Sequence, residues 1–72
     1  MPRLPSVSRR EFVSAMRKIG YSVSPKRGKG SHIVLRHHER HNLLVSERIG
    51  RGLLTSLLKD AGVSRDEFID LL

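Results

Sequence analysis

Two short stretches decide the fold of this chain: Ser31-His32-Ile33-Val34-Leu35-Arg36 and Asn42-Leu43-Leu44-Val45-Ser46. In the first, Ile33 and Leu35 point one way while His32, Val34 and Arg36 point the other. In the second, Leu43 and Val45 share a face and Leu44 takes the opposite one. A period of two is the period of a β-strand. The polar turn His37-His38-Glu39-Arg40 between them leaves room only for an antiparallel return. Upstream, Tyr21, Val23 and Pro25 alternate with Ser22, Ser24 and Lys26, a strand that Pro25 marks as an edge or an end. Arg27-Gly28-Lys29-Gly30 then forms a glycine-rich basic loop. Strands are predicted over 21–27, 31–36 and 42–46.

On either side the period changes to that of a helix. Residues Met1 to Val7 read as a lead-in. Ser8 and Glu11 form a capping box, each side chain answering a free backbone N–H. Phe12, Ala15, Met16 and Ile19 follow at i, i+3, i+4 and i+7, so a helix is predicted over 9–19. Arg17 and Lys18 suit its carbonyl end, and Gly20 suits the left-handed position beyond it. Leu53, Leu54, Leu57, Leu58 and Ala61 form a second stripe, predicted as a helix over 53–61 and ended by Gly62. Ser64 with Glu67 opens a short third helix carrying Phe68, Ile69, Leu71 and Leu72. The order is α-β-β-β-α with a short final helix. This is an α+β fold: a three-stranded antiparallel sheet with helices on one face and the other face open.

Composition bounds the rest. With 72 residues the chain is read as one domain over 1–72, and a domain this short buries only about 60% of its unfolded surface. There is no Cys, which excludes disulfide staples, thiolate metal sites and a Cys nucleophile. No apolar run approaches the roughly 18 residues of a membrane span, and no signal pattern opens the chain, so a cytoplasmic protein without membrane contact is expected. The net charge is +7 and the pI is near 11.2. It divides unevenly: +4 over 1–25, +5 over 26–51 and −2 over 52–72. All four His lie in the middle block. Such segregation favours a basic face for a polyanion.

Parity then singles out His32. If Ile33 and Leu35 face the helices, His32 faces the open side, next to a loop bearing Lys26, Arg27 and Lys29. His is the side chain whose unperturbed pKa, about 6.5, suits proton transfer near neutrality. RNA carries its own nucleophile in the 2′-OH, so cleavage needs a base, a cationic clamp and an acid. Lys29 and the backbone N–H groups of Gly30 and Ser31 are placed to stabilise charge on the phosphorane. Lys26, Arg27, Lys29 and Arg36 are candidate phosphate contacts. The bland reading is that Gly28 and Gly30 make a hairpin turn and His32 is a solvated strand residue. His37, His38 and His41 are read as solvated turn residues rather than metal ligands, because structural zinc sites want four ligands. Arg48 and Arg51 flank the short loop before the second helix and either meet phosphate or only soften the charge of the first helix. Phe12 and Phe68 fall on core stripes, which leaves Tyr21 as the remaining aromatic and argues against a single-strand stacking module.

Gly28-x-Gly30-Ser31-His32, the helix ending in Gly20-Tyr21, and Gly52-Leu53-Leu54-Thr55-Ser56-Leu57-Leu58-Lys59-Asp60-Ala61-Gly62-Val63-Ser64 together resemble the HicA mRNA interferase toxins. The likeness runs over nearly the whole chain from Ser8. It implies a double-stranded-RNA-binding-domain-like fold and a His-dependent ribonuclease that cleaves messenger RNA without a cofactor. It also implies a HicB-like antitoxin partner that holds the enzyme inactive. The family usually closes its third strand with Val-Pro-x-His; this chain has Leu44-Val45-Ser46-Glu47-Arg48 there, with neither the Pro nor the second His. A single positioned acid/base typically contributes only ~10²–10⁴-fold, so a one-His ribonuclease is expected to be slow. The alternative function is a non-catalytic RNA-binding domain of the same fold. A DNA-binding regulator is disfavoured, since no helix-turn-helix pairs basic residues with its turn glycine. Reversing the charges of Lys26, Arg27 and Lys29 together should sharply weaken RNA binding and flatten its salt dependence, measured by titration at two or more ionic strengths.

Overall fold

The computed structural model describes residues 4–24 and 32–72. Helix α1 spans Arg9–Arg17, strand β1 Ser22–Val23, β2 Ile33–Arg36, β3 Leu43–Val45, α2 Arg51–Ala61 and α3 Arg65–Leu71. The sheet order is β1-β2-β3 and both pairings are antiparallel. Three antiparallel strands plus three helices make the predicted α+β layout. The strands are shorter than the alternation predicts, and the part of the first prediction beyond Ser24 lies outside the described residues. The second helix begins at Arg51 rather than at its first apolar residue, because Gly50 already takes the extended N-cap conformation.

Both predicted capping boxes form. Glu11 N–H donates to Ser8 Oγ at 3.1 Å and Ser8 N–H to Glu11 Oε1 at 3.0 Å. Glu67 N–H donates to Ser64 Oγ at 3.1 Å, with the return bond at 3.4 Å. Each box fixes the first turn of a helix of fewer than ten residues, too short to be stable alone in water.

The core sits between the helices and one sheet face. Leu35, Leu43 and Val45 supply the sheet's share; Phe12, Ala15 and Met16 come from α1, and Leu54, Leu57, Leu58 and Ala61 from α2. Phe68 of α3 meets Phe12 with ring centroids 5.7 Å apart. Lys18 Nζ donates to the Leu71 carbonyl at 2.7 Å, tying the end of α1 to the end of α3. The segment read as a mere lead-in is more than that: Leu4 and Val7 are buried and join this core. Tyr21 is 3% exposed, so the aromatic that the sequence left outside the core is inside it. Val23 stands opposite Leu35 yet stays 45% exposed at the edge of the sheet.

Gly20 has φ +103°, and a Cβ built there would stand 2.9 Å from His37 Nε2. Replacing it costs backbone strain of about 1–3 kcal/mol plus displacement of that ring. Gly20→Ala should therefore lower the melting temperature by at least about 5 °C, given the 4–8 °C per kcal/mol typical of so small a domain, as read by thermal unfolding.

Candidate functional site

The sheet face away from the helices is the candidate site. The register sets Ser22 opposite Arg36 and Val34 opposite Leu44. Since Leu35 and Leu43 are buried on the far side, these four side chains share the open face. Leu44 is 56% exposed and Arg36 is exposed. His32 immediately precedes β2 and is exposed. It makes no hydrogen bond or ion pair among the described residues, and the same holds for Arg36. Carried one residue further, the register sets His32 across from Ser46, whose Oγ donates to the Arg48 carbonyl at 2.7 Å. Four residues of strand separate His32 from Arg36, about 13 Å at 3.3 Å per residue. Lys26, Arg27, Lys29, Gly30 and Ser31 lie outside the described residues.

The other three His do not behave alike, and His37 overturns its reading as a solvated turn residue. It is half-buried. Glu39 N–H donates to its Nδ1 at 2.9 Å, and its Nε2 lies 2.8 Å from the Ile19 carbonyl. A backbone N–H can only donate, so Nδ1 is bare and Nε2 carries the proton given to Ile19. Both ring nitrogens are thereby engaged within the fold. His37 packs against Tyr21 in a tilted arrangement, centroids 4.9 Å apart and planes at 60°, and stacks on the exposed His38 at 4.9 Å with planes 8° apart. His38 Nε2 lies 3.5 Å from Glu39 Oε1. His41 contributes its backbone: the Tyr21 hydroxyl donates to its carbonyl at 2.8 Å. No group of three or more His, Cys, Asp or Glu is placed to hold a metal among the described residues.

Arg40 is the second residue whose role the sequence left unread. Its Nη1 donates to the Ala61 carbonyl at 2.7 Å, with Gly62 O at 3.5 Å. Here a side chain of the β2–β3 turn satisfies a carbonyl at the end of α2. Periodicity carries no trace of this bond or of the His37 bridge, since the partners are 21 and 18 residues apart. The one signal was Gly20, whose need for a positive φ marks a tight approach without naming what approaches.

A family model described as the HicA toxin of bacterial toxin–antitoxin systems matches residues 9–63. The chain belongs to the HicA toxin family. The match begins at the first residue of α1 and ends just beyond α2, so it takes in the whole sheet, His32 and the β2–β3 turn. No curated protein matches the chain. Membership in the HicA family implies an antitoxin partner. No helix among the described residues is long and apolar enough to cross a membrane.

Tyr21 is the buried acid of this region. Burial raises its pKa above the usual 10.0; the Arg40 charge opposes the rise and Asp60 adds to it. A raised pKa means that above pH 10 the unfolded chain loses this proton first, so stability falls as pH rises. Wild type should lose stability between pH 10 and 11 more steeply than Tyr21→Phe, as measured by urea unfolding at each pH.

Proposed function

We propose that this HicA-family chain is a ribonuclease toxin that cleaves messenger RNA, with His32 as its acid/base. The observation that carries the reading is the placement of His32: exposed, without a protein partner among the described residues, and at the head of the open sheet face. The 2′-OH attacks the adjacent phosphorus and the bond to the 5′-oxygen breaks. One proton leaves the 2′-OH and one arrives at the leaving oxygen. His32 exchanges one of these, and water supplies the other exchange. Arg36, on the same face, neutralises phosphate, and Lys26, Arg27 and Lys29 are assigned the same role. Lys29, Gly30 and Ser31 are assigned to the charge that builds on the phosphorane.

The antitoxin is proposed to be HicB-like and acidic where it touches this chain, covering the open face. The exposed Leu44 beside Val34 offers it an apolar patch between His32 and Arg36. Messenger RNA as substrate places the work in the cytoplasm, with no cofactor required. A non-catalytic RNA-binding role is the second reading. It draws on Arg48, which stands where the family's second His would, so that no second imidazole is offered at the end of β3.

His32→Gln keeps size and hydrogen bonding but cannot shuttle protons. It should lose about 10²–10⁴-fold in cleavage rate with an unchanged melting temperature. Cleavage by this variant at the wild-type rate would transfer the reading to RNA binding without catalysis.

A further inference from the structure

A depression of about 300 Å³ opens at the far end of the same strand, lined by Gly20, Ser22, Arg36, His37 and His38. Ser22 and Arg36 are cross-strand partners, so their side chains stand roughly 5 Å apart at Cβ. Neither the hydroxyl nor the guanidinium is engaged by any described residue. This is a hydroxyl donor beside an uncompensated fork of N–H donors, a pairing suited to a phosphate oxygen. His38, which also lines the depression, stacks one ring face on His37 and is 80% exposed at its side chain. Its other face is therefore open, at the height at which a further flat ring continues the stack. Phe12, Tyr21 and Phe68 are all buried, and the exposed His32 and His41 do not line the depression, so the π-surface it offers is that of the stacked His pair. His37 cannot swing away from beneath it, because both of its ring nitrogens are bonded. The Glu39 carboxylate lies against His38 Nε2 and does not line the depression.

We infer that this depression is a nucleotide subsite: Arg36 and Ser22 hold one phosphate of a single-stranded RNA, and the free face of His38 stacks the adjoining base. The inference rests on the RNA reading above and deepens it. At about 13 Å from His32 along the strand, the pocket lies beyond the reach of a phosphate held at His32. Both places are filled only by different phosphates of one strand. The subsite thus sets a minimum substrate length and requires unpaired bases on one side of the cut.

The probe is a 2′-O-methyl uridine octamer, which cannot supply the attacking hydroxyl and so reports binding alone. Arg36→Ala should weaken it about tenfold and reduce the slope of log K against log salt by about 0.7, the share of one single-strand phosphate. Arg36→Lys should recover the slope. His38→Ala should also weaken binding about tenfold, and His38→Phe should restore it, because stacking needs the ring and not its charge. Equal affinity and slope for wild type and Arg36→Ala overturn the subsite while leaving the His32 chemistry to its own test. Failure of His38→Phe to restore binding removes the base platform. If Arg36→Ala weakens an octaglutamate peptide and leaves the octamer unchanged, the depression is an acidic-peptide surface instead. A wild-type chain that does not bind the octamer overturns both the subsite and the RNA reading. A His32→Gln variant that still cuts overturns only the catalytic assignment.

Discussion

The structure depends on the way the β2–β3 turn satisfies carbonyl groups that two helices leave over. A helix ends with carbonyl oxygens lacking an intrahelical partner, and near a core these must find donors. Here the donors come from one five-residue stretch. His37 gives its Nε2 proton to Ile19 beyond the end of α1, and Arg40 gives a guanidinium proton to Ala61 at the end of α2. In return the turn receives the Tyr21 hydroxyl at the His41 carbonyl. Hydrogen bonds from charged donors such as Arg40 contribute about 1.5–3 kcal/mol each, a large part of the stability of so small a fold. The turn therefore locks both longer helices to the same end of the sheet, and the apolar side chains between them close the core.

That lock divides the sheet into two unlike faces. Leu35, Leu43 and Val45 are carried inward, and His32, Arg36 and Leu44 are left outside. The outward set has no structural employment: none of its polar groups is bonded among the described residues. Within the described chain the buried side is complete, with every buried side-chain polar atom partnered. A surface on which His32 and Arg36 are spare, on a frame whose buried polar side chains are all used, is an arrangement for binding something else.

The division was legible because strand parity is local. Alternation at Ile33 and Leu35 against His32 and Arg36 needs no knowledge of what packs where, and the same holds for the capping boxes at Ser8 and Ser64. What escaped is non-local. Tyr21 alternates with Ser22 in either reading; only the position of the β2–β3 turn shows that its ring lies under His37 and its hydroxyl on His41. A run of two His, Glu and Arg has the composition of a solvated turn, and composition does not tell a turn that faces water from one that faces two helix ends. Leu4 and Val7 were likewise hidden, because two apolar residues among prolines have no period to reveal them.

Gly20 and His37 occupy, in effect, one volume between them. The glycine has no side chain where the imidazole has its edge, 2.9 Å from where a Cβ would be. Over evolutionary time these positions should behave as a single heritable unit. A lineage that accepts the backbone strain of a side chain at 20 must also surrender the ring at 37, and with it the hydrogen bond to Ile19. The intermediate, carrying one change without the other, is the disfavoured genotype, whichever change comes first. Two sites 17 positions apart in the chain would then be read in a family tree as substitutions that arrive together.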